Sequence, residues 1–195
     1  MFRHFTIAAA TLLAGAAPAF AHLDPEAHGS LLAGLSHPVF GLDHVLAMVA
    51  VGLWAAQMGG RAVFVVPAAF VGTMALGFAL GLGGMALPFV EPGILASVVV
   101  LGLLVAVAAR LPVPASAAVV GAFALLHGHA HAGELGIAGA FQFGLGFLVA
   151  TAFLHMAGVG LGLGQSAGSA NRSASSLSRV AGLGTALAGL ALMAG

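Results

Sequence analysis

The segment Ser36-His37-Pro38-Val39-Phe40-Gly41-Leu42-Asp43-His44 sets two imidazoles and a carboxylate at the head of an apolar stretch, with the Met48 thioether one turn further on. Hydrocarbon cannot solvate such groups, so their presence in a membrane segment marks a functional site. Imidazole and carboxylate together suit a divalent transition-metal ion. A second cluster spans residues 125–134 and contains His127, His129, His131 and Glu134. On a helix His127, His131 and Glu134 share one face, at i, i+4 and i+7, while His129 points away. His127 and His131 have the spacing of two ligands to one ion, and Glu134 supplies charge. Gly133 is a candidate C-cap that would swing Glu134 off that face.

The first cluster is harder to close around one ion. On a continuous helix His37, His44 and Met48 fall on one face, but His37 and His44 stand ~10 Å apart along the axis. His44 and Met48 are ~6 Å apart, within reach of a single site. Placing Pro38 at the first helical position lets His37 fold back towards His44; the other arrangement makes the two histidines successive stations. The first is the expectation. A helix N-terminus repels cations, so Asp43 must outweigh the dipole there.

Composition identifies the medium. Only 5% of the residues are charged against 61% hydrophobic, and mean hydropathy is +1.15. Soluble domains carry about 25% charge, so the chain is an all-α integral membrane protein. A net charge of +0 offers nothing to nucleic acid. With no cysteine, thiolate sites are excluded and the nine histidines are the principal metal donors.

The elements that must position these donors can be read in order. Residues 1–21 have the form of a cleaved signal peptide: Arg3, a short apolar core, and Ala19-Phe20-Ala21 before the cut. Residues 22–36 form a periplasmic arm, in which His22 would become a terminal residue able to chelate through its α-amine and imidazole. Asp24, Glu26 and His28 follow it. Residues 37–195 form a transmembrane domain of six helices, expected at 38–58, 62–82, 92–109, 114 to the 127–131 histidines, 137–164 and 177–194. Glu91 is expected just outside the third, and a kink near Pro67 in the second. Gly72, Gly77, Gly144, Gly146, Gly182 and Gly184 provide small faces for close packing. Arg61, Arg110, Arg172 and Arg179 all fall in loops assigned to the cytoplasm, the positive-inside pattern. Both histidine clusters then lie at the outer leaflet, where the first and fourth spans meet around one site. His155 lies ~27 Å down the fifth span with Thr151 one turn above it, a polar step towards the cytoplasm.

On these residues the chain resembles the HupE/UreJ family of hydrogenase and urease accessory permeases. His37-Pro38, four residues, then Asp43-His44 is similar to that family's H-P-x4-D-H signature. His127, Gly128, Ala130, His131 and Glu134 match its F-H-G-x-A-H-G-x-E signature, with Leu126 in place of Phe and Ala132 in place of Gly. The departures touch packing and backbone freedom, not the candidate ligands. The resemblance covers the whole chain. It implies a multi-pass protein of the bacterial cytoplasmic membrane that takes up Ni²⁺, with Co²⁺ as a second substrate, and feeds metalloenzyme maturation.

The expected function is therefore secondary transport of a divalent metal ion through a site of His37, Asp43, His44, His127, His131 and Glu134. His22, Met48, His129 and His155 are weaker candidates. The chain is not expected to be an enzyme or to hold a tight cofactor, and it has no nucleotide-binding motif. The competing reading is an intramembrane metal-dependent hydrolase, since three histidines, a carboxylate and a water would fit that chemistry too. The polar step at His155 favours transport.

Overall fold

The computed structural model describes residues 30–132, 139–166 and 176–195, and every regular element among them is a helix. In chain order these are α1 (Leu31–Phe40), α2 (Leu42–Met58), α3 (Ala62–Leu82), α4 (Val90–Ala106), α5 (Val113–Ala132), α6 (Ala140–Ser166) and α7 (Ser176–Ala194). Polarity is inverted relative to a water-soluble bundle. Phe64, Phe141 and Phe153 are 71%, 80% and 70% exposed, whereas His44, His127, His131 and His155 are buried. Apolar side chains facing outward are what a hydrocarbon solvent selects.

Four of the helices, α3, α5, α6 and α7, are each long and apolar enough to cross a membrane. The pair α1 and α2 passes only when taken together, and the two are bent by 83° at their junction. α4 is apolar but has 17 residues, ~25 Å, at the short end of what spans a bilayer. The chain is thus a multi-pass membrane protein with four candidate spans among the described residues.

The start of the first span is not where Pro38 suggests. Pro38 lies inside α1, the chain breaks at Gly41, and α2 begins at Leu42. The helix begins earlier because Ser30 caps it, its hydroxyl accepting from the Ala33 amide at 3.0 Å. Proline then falls in the final turn of α1, and the bend is taken at the glycine. Both ends of α4 also differ from expectation. α4 starts before Pro92, so Glu91 lies in its first turn, where a carboxylate complements the dipole. It also ends at Ala106, short of the expected 109, for a visible reason. Trp54 Nε1 donates to Ala109 O, Gln57 Nε2 to Val105 O and Arg179 Nε to Ala106 O, so side chains from α2 and α7 satisfy carbonyls at its terminus. α3 runs through Pro67 without a break.

Four helix pairs make the closest approaches, and each has a reciprocal glycine contact. Gly77 meets the Leu125 backbone and Gly128 the Met74 backbone between α3 and α5. Gly52 and Gly158 face each other between α2 and α6, Gly102 and Gly182 between α4 and α7, and Gly34 and Gly146 between α1 and α6. A methyl group at any of these would overlap the facing backbone. Of the glycines expected to give small faces, Gly72 and Gly184 meet nothing, and Gly144 abuts the Phe78 ring instead of a backbone. The signal segment, the arm from His22 to His28, Glu134 and Arg172 lie outside the described residues.

Candidate metal centre

The bend at Gly41 folds α1 back so that His37 approaches the head of α2. Its ring lies 6.0 Å from that of His44 and 4.4 Å from that of His131, centroid to centroid. α5 delivers His131 and His127 from its last two turns, with ring centroids 4.7 Å and 5.0 Å from His44. The two sequence clusters thus form a single group of four imidazoles. The fold-back expected of His37 occurs, with Gly41 as its pivot.

At the centre His44 Nε2 and His131 Nε2 face each other at 2.7 Å. His44 Nδ1 lies 3.1 Å from Asp43 Oδ1, so Nδ1 carries the proton and Nε2 of His44 is the lone-pair nitrogen. His131 Nε2–H therefore donates to His44 Nε2. An ion replacing that proton needs metal–nitrogen distances of ~2.0–2.1 Å, which sets the two nitrogens ~2.9–3.4 Å apart. Moving the two rings apart by a few tenths of an ångström meets that requirement. Asp43 stands in the first turn of α2, where the helix dipole stabilises a carboxylate. His131 stands in the last turn of α5, where the dipole attracts a cation.

Ser97, which sequence reasoning passed over, fixes the orientation of His127. Its hydroxyl donates to Ile94 O at 2.6 Å, so its contact of 2.9 Å with His127 Nε2 must be one in which it accepts. His127 therefore bears its proton on Nε2 and keeps a lone pair on Nδ1, a buried atom with no hydrogen-bond partner among the described residues. A lone serine in an apolar helix carries no sequence signal; only the crossing of α4 and α5 reveals it. The walls are aromatic: Phe147 lies 4.9 Å from His131, Phe143 5.6 Å from His37 and Phe70 5.8 Å from His127.

The remaining candidates lie elsewhere. His129 turns away as the helical projection requires, and its Nε2–H donates to Met85 O at 2.6 Å. Met48 is fully buried in the apolar core with Ala47 and Val51. His155 is buried in α6 below the cluster. Glu134 and His22 are outside the described residues. Among the described residues no three His, Cys, Asp or Glu side chains already stand in a metal-holding arrangement. What is built is a nest of imidazoles with lone pairs at His44 Nε2 and His127 Nδ1, and one shared proton that must shift to Nδ1 of His131 before a cation can bind between the two rings.

The chain matches the family described as HupE / UreJ protein over residues 10–192. It is 49% identical over 187 residues to Protein HupE of Rhizobium leguminosarum bv. viciae, covering 95% of this chain and 96% of that protein. No solved structure matches it.

Proposed function

The chain belongs to the HupE/UreJ family, and we propose that it is a secondary permease for divalent transition-metal ions, Ni²⁺ first and Co²⁺ second, in the bacterial cytoplasmic membrane. The observation that carries this reading is the approach of His44 Nε2 and His131 Nε2 from two helices to 2.7 Å inside an apolar bundle. Burying imidazoles is unfavourable unless they have work to do, and a bare pair of them selects for metals that prefer nitrogen. Asp43 holds the His44 lone pair towards the ion and offsets its charge, and Ser97 does the positional part of this for His127. His37 closes the site from α1, and Glu134 adds a second carboxylate from the segment after α5. Entry of the ion requires the proton between His44 and His131 to shift to Nδ1 of His131, a change of tautomer that frees Nε2 as a ligand and releases no net proton.

The site has an outer position in this reading. α1 and α2 act as one broken span and α4 as a short one, which gives six spans after a cleaved signal. The side-chain bonds from Trp54, Gln57 and Arg179 to the end of α4 place the end of α2 and the start of α7 beside it. Arg61, Arg110 and Arg179 then gather at the cytoplasmic face. The histidine group, at the opposite ends of α2 and α5, opens to the periplasm and takes up metal for enzyme maturation. The test is uptake of radiolabelled Ni²⁺ and Co²⁺ by cells with and without the protein. Equal uptake in the two would end this reading.

A further inference from the structure

Below the outer cluster the bundle holds one more imidazole that its surroundings do not account for. His155 is 0% exposed, and neither Nδ1 nor Nε2 has a hydrogen-bond partner among the described residues. Buried polar groups in native proteins are almost always paired, so an imidazole with two idle nitrogens calls for a reason. Its backbone packs on Gly52, eight residues past His44 and so ~12 Å deeper along α2.

Two facing stripes lead to it. On α6, Phe143, Phe147, Thr151 and His155 recur at four-residue spacing and are all buried. On α3, Phe78, Met74 and Phe70 do the same in the opposite direction. Phe78 stacks near Phe143 at 6.3 Å, Met74 Sδ lies 3.9 Å from Thr151 Oγ1, and the Phe70 ring sits 5.0 Å from that of His155. The helices are therefore antiparallel along this seam. Phe70 also lies 5.8 Å from His127, so one aromatic ring touches both the lowest imidazole of the outer cluster and the solitary one beneath it. Around His155 the seam offers a thioether and a hydroxyl, donors that with imidazole suit a softer divalent or monovalent transition ion better than Mg²⁺ or Ca²⁺.

We propose that His155 is a second, inner metal station, where the ion pauses after leaving His127 and passing the Phe70 ring, with Met74 and Thr151 as flanking donors. This rests on the permease reading above. It splits the crossing into two shorter steps between imidazoles, so that a cation need not traverse the apolar core in one jump.

The test uses the full-length protein in liposomes, with Ni²⁺ alone as the probe. Binding is measured by equilibrium dialysis and flux by an internal chelating dye, for wild type, His155→Phe and His155→Gln. The expected result is a loss of one bound ion per chain in both variants, outer-site affinity within twofold of wild type, and at least a tenfold fall in flux. Unchanged stoichiometry and flux would overturn the inner station while leaving the permease reading intact. Wild-type protein that neither binds nor passes Ni²⁺ would overturn both. Should both variants fail to fold, a nickel-edge anomalous map of wild-type crystals soaked in Ni²⁺ decides instead. Density at the His155 ring supports the station, and density confined to the outer cluster rejects it.

Discussion

His44 and His131 lie 87 residues apart in the chain, yet their Nε2 atoms meet at 2.7 Å. Only one proton fits between them. Asp43 takes the Nδ1–H of His44, so the shared proton belongs to His131 and the lone pair to His44. The pair is therefore a ligand set held shut by a hydrogen atom.

Replacing either member should be severe. His44→Ala and His131→Ala should each reduce Ni²⁺ uptake by at least about tenfold, the lower end of what loss of even a supporting group does to a metal site. His129→Ala should stay within about twofold, because its ring is spent on Met85 O. Uptake per expressed molecule in whole cells checks all three. Comparable losses at His129 and His131 would show that the projection of α5 misplaces the site.

Ser97→Ala tests the orientation of His127 without removing a ligand. The variant leaves the Nε2–H of His127 without its buried acceptor, at about 1–3 kcal/mol, and frees the ring to turn. Affinity for Ni²⁺ should fall by about 10–100-fold, while the protein inserts and purifies normally. Titration calorimetry on the purified protein reads the affinity directly. Wild-type affinity in Ser97→Ala would mean that His127 needs no such guide.

Sequence and structure agree where one strong signal dominates. α3 occupies residues 62–82 as read from hydropathy, and α5 includes its histidines because thirteen apolar residues alone cannot reach across a bilayer. The pairing of the clusters was legible too, since ionisable groups in hydrocarbon must find one another. The bend was not. Pro38 carries the usual signal for a helix start, but Ser30 had already capped α1, and Gly41 took the 83° turn. Ser97 and the aromatic walls were illegible for a different reason. A serine or phenylalanine in an apolar helix looks the same whether it faces lipid or a site, and only helix crossing decides.

Glycine contacts divide the same residue type into two classes of outcome. Gly52→Ala and Gly128→Ala drive a methyl group into facing backbone, which cannot swing aside as a side chain can. Each should destabilise the bundle by about 1–3 kcal/mol or more. Gly72→Ala and Gly184→Ala, which meet open space, should stay within about 0.5 kcal/mol of wild type. Thermal unfolding in one detergent ranks the four. Equal melting temperatures would mean that the helices separate enough to absorb the methyl groups.

Gly41→Ala separates the geometry of the bend from that of the site. The backbone at Gly41 has φ −84° and ψ 112°, an extended conformation open to any L-residue, so the bend itself should survive. The added Cβ, however, would stand 2.9 Å from His44 Nδ1 and 3.0 Å from Asp43 Oδ1. Those are the two atoms whose 3.1 Å contact orients His44. Both belong to side chains, so they can yield, and yielding pulls the carboxylate off the ring. The expected variant is folded, inserted and within a few degrees of the wild-type melting temperature, with Ni²⁺ affinity weakened about tenfold, as for other losses of a ligand's supporting partner. Parallel thermal melts and Ni²⁺ titrations on the purified protein measure both quantities. Full affinity would show that Asp43 does not hold His44 in place, and failure to fold would show that the bend depends on glycine for a reason other than φ.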